Sequence, residues 1–150
     1  MNPDHFLKPY CKEIQTLTHE LRQFVSELIP VANELIWDNY NAVAIAYSKS
    51  EKLKDAFCHI AVYAKHVNFG FNRGSELTKT EIKLNGTGKL IRHLKVKDFE
   101  TFPKNTITKM LWEAVSRSEQ LNEDLLAVKS KGKSIVMSVS EKKIRPGGSK

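Results

Sequence analysis

Two runs of aromatic and β-branched residues, 56–63 and 66–71, stand back to back with only Ala64-Lys65 between them. Two extended segments that close in sequence fold against each other, so the pair predicts an antiparallel hairpin. A two-residue loop at 64–65 and a four-residue loop at 63–66 give the same register, and Ala-Lys is poor chemistry for a type I′ turn, so the loop type stays open. Tyr63 is expected opposite His66, Ala61 opposite Asn68 and His59 opposite Gly70. Because successive side chains alternate across a strand, those residues share one side, while Cys58, Ile60, Val62, Val67, Phe69 and Phe71 share the other. One side is an oily core face and the other is polar over small residues.

The flanking segments extend this pattern. Residues 40–47 alternate Val43, Ile45 and Tyr47 with Ala42, Ala44 and Ala46, which reads as a strand. If Val43 and Ile45 join the core face, then Tyr40, Ala42, Ala44 and Ala46 fall with the His/Tyr/Asn set. Residues 90–96 read as a further strand, with Arg92, Leu94 and Val96 on one side and Ile91, His93 and Lys95 on the other. The connection 72–89 is long, with a brief turn at 75–77, and 48–55 reads as a loop. Ile14, Leu17, Leu21, Phe24, Val25 and Leu28 follow steps of three and four, the stripe of an amphipathic helix that Pro30 ends. Residues 31–38 are predicted to add a turn or two of helix before Asn39. Pro103 and Asn105 introduce a second helix, whose Ile107, Met110, Leu111, Ala114, Val115, Ser118, Leu121 and Leu125 mark one face. Two helices enclosing antiparallel strands, without a repeated strand-helix alternation, predict an α+β fold: a sheet packed against N- and C-terminal helices.

Composition bounds what this fold does. With 150 residues, 41% of them hydrophobic, the chain suits one domain with a core. No apolar run approaches the roughly 20 residues of a membrane span, and the first 30 residues lack the apolar stretch of a secretory signal. A cytoplasmic protein with no membrane partner is the expectation. Cys11 and Cys58 show no metal-binding spacing, so neither a disulfide framework nor a structural zinc is indicated. The net charge of +7 suggests nucleic acid until it is located. Residues 129–150 hold seven basic side chains against Glu141 alone, while residues 1–128 hold 17 basic and 16 acidic. The body at 1–128 is nearly neutral, and 129–150 reads as a basic, flexible tail through which any nucleic-acid contact would come. Within it 134–139 is the exception, because its β-branched content suits a strand added to a sheet edge.

Three ordered motifs carry a family likeness: Glu34-Leu-Ile-Trp37; Lys65-His66-Val-Asn-Phe-Gly-Phe71 with Arg73-Gly74; and Leu84-Asn-Gly-Thr-Gly-Lys89 with Arg92-His93-Leu94-Lys95. Over roughly 10–125 the chain resembles the YdhG-like family of small bacterial domains, largely of unknown function. The resemblance implies a frataxin-like arrangement of an antiparallel sheet and two terminal helices, and one reading of the family is an iron-binding, frataxin-like chaperone. The chain departs from the family at Trp37-Asp38 and Asn41, where Trp-Gly and a Pro are usual, and in its basic tail.

The candidate ligand-binding residues are Trp37, Tyr40, His59, Tyr63, His66 and Asn68 on the polar sheet face, with Lys89 and Arg92 nearby. A small floor with a polar rim describes a concave site; a wet face, or a face buried in a homodimer, would use the same residues. Gly86-Thr87-Gly88-Lys89 looks like part of a phosphate loop, but a Walker motif needs glycine where Lys83 stands. Glycines of a turn are the plainer reading, with modest anion binding by Lys89, Arg92 and His93 as the alternative. Glu13, Glu20, Glu27 and Glu34 recur every seven residues, and on a continuous helix the first three would line one edge, yet seven residues rise about 10 Å, too far for two carboxylates to share an ion. No GxSxG, HExxH or same-face Cys/His pair is present. The chain is therefore read as a non-catalytic domain that binds a small molecule or anion, without a cofactor. The alternatives are an iron chaperone, with iron as its cargo, and a homodimeric interaction module.

Overall fold

The computed structural model describes residues 3–78 and 81–143. Helices α1 (Pro3–Leu7) and α2 (Lys12–Leu28) precede the strands β1 (Asn33–Asp38), β2 (Val43–Ser48), β3 (Ala56–Val62), β4 (Val67–Phe71) and β5 (Arg92–Val96). Helix α3 (Lys104–Leu121) and strand β6 (Ser134–Val139) complete the chain. The strands form one sheet in the order β5-β4-β3-β2-β1-β6, antiparallel throughout except where β6 runs parallel to β1. The molecule is an α+β protein with a largely antiparallel sheet and helices from both ends of the chain, as the periodicities predict.

All three helices bury their apolar stripes on the same face of the sheet. Leu7, Leu21, Val25, Ile107, Met110 and Leu111 meet Ile45, Ile60, Val62, Phe69 and Phe71 in one core. Each such side chain withdrawn from water contributes roughly 1.5–3 kcal/mol, which is why short helices with modest propensity hold their places. Thr18 sits within the α2 stripe because its hydroxyl donates to the Ile14 carbonyl at 2.8 Å. The hairpin β3–β4 has the expected register, with Ala61 opposite Asn68 and His59 opposite Gly70.

Residues 33–38, predicted as part of a helical extension, form β1. Glu34, Ile36 and Asp38 face the helices, while Leu35 and Trp37 face away. A strand that points two carboxylates toward the core side hides its period of two, because Ile36 between acids at 34 and 38 mimics a helical surface. Tertiary partners remove the penalty. Glu34 is met by Arg22, Tyr47 and Ser134, and Asp38 is met by Lys143.

The basic C-terminal segment is only partly a tail. Residues 134–139 take the option of adding a strand, so the sheet extends beyond the boundary drawn at 128. Two of its cations are engaged internally, Lys133 with Glu51 at 3.3 Å and Lys143 with Asp38. Arg145, Lys150 and the Pro146-Gly147-Gly148 end lie outside the described residues. Among the described residues no helix is long and apolar enough to cross a membrane.

Candidate ligand-binding site

The registers place two rows of side chains across the sheet face that the helices do not use. One runs Trp37, Ala44, Ala61, Asn68, Lys95; the next runs Leu35, Ala46, His59, Gly70, His93. The half nearest β1 is apolar, with Leu35, Ala46 and Ala56 buried together under Trp37 and Ile135. The half nearest β5 is polar. His59, Asn68, His93 and Lys95 gather there because alternate positions of β3, β4 and β5 point to one side.

His59 is held in one orientation. Its Nδ1 lies 3.0 Å from Asn72 Oδ1, and with that oxygen as acceptor Nδ1 carries the proton and Nε2 keeps its lone pair. The ring lies across Gly70, where an added Cβ would overlap Nε2 and come within 2.5 Å of Cε1. Burial lowers the His59 pKa, against the raising effect of the Asn72 bond and with the help of the nearby His93. The imidazole is therefore neutral at pH 7. Gly70→Ala is expected to push the ring off the sheet, break its bond to Asn72 and return its pKa toward the ordinary 6.5. An NMR titration of the His59 Cε1 proton checks this, and an unmoved midpoint would show that glycine is not what seats the ring.

At the hairpin end Tyr63 and His66 stack at 4.6 Å between ring centroids and 16° between planes, and Tyr63 N donates to the His66 carbonyl at 2.9 Å. The His66 pKa is lowered by desolvation first, then by the charges of Lys95 and His93. His66 and Lys95 also line a cleft of about 600 Å³ where the hairpin end and the end of β5 meet the start of α2. Lys65 and Lys97 complete its cationic wall, Ile14 and Leu17 are apolar wall, and Glu13 is its carboxylate. No ion pair among the described residues engages Lys65, Lys95 or Lys97. Three ammonium groups around one open recess attract anions.

The fold brings some of the expected site together and disperses the rest. Trp37, His59 and Asn68 lie on the expected face, and Tyr63 and His66 cap its hairpin end. Tyr40 is in the turn between β1 and β2, closed by Asn39 N donating to the Ala42 carbonyl at 2.9 Å, and is 51% exposed. Arg92 leaves the set by parity: it is in register with Phe71, and its Nη1 donates to the Gly88 and Ile91 carbonyls at 2.7 Å each. Lys89 is exposed, and its carbonyl accepts from Ser75 Oγ at 2.8 Å. The glycine segment serves as a turn, with Gly86 at φ +140° in the region where a side chain is strained. Lys95, Asn72, Lys65 and Lys97 were absent from the expected set, and His93 entered it only as an alternative anion contact beside Lys89 and Arg92. For His93 and Lys95 the signal was present, since their alternation with Leu94 and Val96 assigns them to the polar side. For Lys65 and Lys97 there was none, because both lie outside the strands.

Glu13, Glu20 and Glu27 all lie on α2, as expected of the first three, and Glu34 is on β1. Among the described residues no three His, Cys, Asp or Glu side chains are grouped to hold a metal ion. Cys58 is buried on the helix side, where burial pushes its thiol pKa up. Searches of family models, curated proteins and solved structures yield no match to this chain.

Proposed function

We propose that this chain is a non-catalytic binding domain for a small anion, received in the lysine-lined cleft at the hairpin end of the sheet. The observation that carries the reading is the convergence of Lys65, Lys95, Lys97 and His66 on one recess of about 600 Å³. That volume is in the range of small-ligand sites. Ammonium groups on flexible stems suit phosphate-like anions, which accept from several directions. The Lys65-His66 pair lies in a segment that resembles YdhG-like domains, a resemblance that names no ligand.

Titration with inorganic phosphate and pyrophosphate, followed by backbone amide NMR, tests the reading. Saturable shifts are expected at 65, 66 and 95, with Lys65→Ala and Lys95→Ala each weakening binding about three- to tenfold. A bound anion favours imidazolium, so the His66 pKa rises on saturation. Reciprocally, affinity increases as pH falls through that pKa, which lies below 6.5 in the free protein. Small non-saturating shifts spread over all surface lysines would sink the proposal.

A further inference from the structure

At the other end of β3, a cavity of about 360 Å³ lies between α3 and the chain leaving β4. Its floor is apolar, made by Phe57, Leu77 and Ala114, and its rim carries Arg73, Arg117 and Glu76. Arg73 donates through Nε and Nη2 to the two oxygens of Glu76 at 2.7 Å each. Arg117 Nε donates to Glu76 Oε1 at 3.0 Å, and its Nη1 reaches Gln120 at 3.4 Å. Two guanidinium groups thus converge on one carboxylate at the mouth of a hydrocarbon-lined recess.

We propose that this cavity binds a small carboxylate with an apolar body, its carboxylate taken by the N–H groups of Arg73 and Arg117 that Glu76 leaves unused. A guanidinium presents five N–H donors in a rigid fork matched to carboxylate geometry, and Glu76 takes two from Arg73 and one from Arg117. Arg117 Nη1 is shared with Gln120, and the other unused N–H groups belong to two side chains that line this cavity. Glu113, the other carboxylate of the lining, accepts from Thr78 N at 2.8 Å and Thr78 Oγ at 2.7 Å. Among the described residues the lining sets two arginines against two glutamates, so selection comes from directed donors and the apolar floor. A bare polyanion finds no floor to use here, which separates this cavity from the lysine cleft.

Phenylacetate and its neutral isostere phenylacetamide, titrated into the full chain and followed by amide NMR, provide the test. Phenylacetate is expected to shift the amides of 77, 114 and 117 saturably, with a Kd on the order of 1 mM, a realistic strength for so few atoms. Phenylacetamide is expected to bind at least about tenfold more weakly, since it lacks the charged acceptor. Arg117→Lys keeps the charge but loses the fork and is expected to weaken phenylacetate about tenfold. Glu76→Gln removes the internal competitor for the arginines and is expected to tighten it about threefold. Equal binding of acid and amide, no saturable shift, the same amides moved by inorganic phosphate, or weaker binding by Glu76→Gln would each overturn the assignment.

Discussion

Replacing Arg22 with alanine is expected to lower the free energy of unfolding by about 3–5 kcal/mol, the cost of leaving a buried carboxylate without its counter-charge. Glu34 is 6% exposed, on the helix side of β1. Arg22 donates to it through Nε at 3.0 Å and Nη2 at 3.1 Å, Tyr47 through its hydroxyl at 2.7 Å and Ser134 through Oγ at 2.6 Å. These three side chains tie α2, β2 and β6 to one carboxylate on β1. Arg22 retains 18% side-chain exposure, so water reaching the gap would bring the loss toward the lower end of that range. Denaturant unfolding of the variant measures it, and a loss under 1 kcal/mol would mean that the carboxylate swings out to solvent.

The same cluster sets a pH dependence. Burial is the largest influence on Glu34 and raises its pKa, but the Arg22 hydrogen bond and charge, with the Ser134 and Tyr47 bonds, outweigh it and leave the pKa lowered from 4.5. A carboxylate with a folded pKa below its unfolded value adds stability that is present above pH 4.5 and lost as pH falls through the folded value. Glu76, held at about 2 by Arg73 and Arg117, acts with the same sign, although its exposure screens its share. In Arg22→Ala two of the influences that lower the Glu34 pKa are gone while burial remains, so that pKa is expected to move up. The gain in stability with rising pH over the acid range is then expected to be smaller in the variant than in the parent.

Gly132→Ala is the second large effect, expected to cost on the order of 2–3 kcal/mol, as overpacking against backbone does. A Cβ at Gly132 would overlap the carbonyl of Ala32 and lie 3.0 Å from Asn33 N, groups fixed at the start of β1. The chain crosses there at close range because Gly132 N donates to the Pro30 carbonyl at 2.8 Å and Glu34 N to the Lys133 carbonyl at 2.8 Å. The added methyl pushes out the first residues of β6 and takes Ser134 away from Glu34. Hydrogen exchange should show amide protection lost first along β6 and on the β1 amides that bond it, with the β3–β4 hairpin unchanged. Uniform loss across the sheet would instead mean that β6 does not open separately.

What could be read ahead of the fold follows from locality. The α2 and α3 stripes and the β3–β4 hairpin are decided by residues within a few positions of each other, so their spacing predicts both the elements and the faces. Parity then carries His59 and Asn68 to one side, and would have carried His93 and Lys95 there too. The same parity sets Arg92 with Leu94 and Val96, on the side away from His59. β1 was hidden because Glu34 and Asp38 occupy inward positions that only Arg22 and Lys143, 12 and 105 residues away, make tolerable.

The amino-acid order alone determined an α+β chain with one oily and one polar side to its central hairpin, because periodicity is a property of neighbouring residues. Tertiary structure alone decided that β6 closes the sheet edge in parallel, that Lys65, Lys95, Lys97 and His66 share one cleft, and that two arginines share Glu76. Those arrangements join residues tens of positions apart, and their geometry exists only once packing has brought the segments within reach.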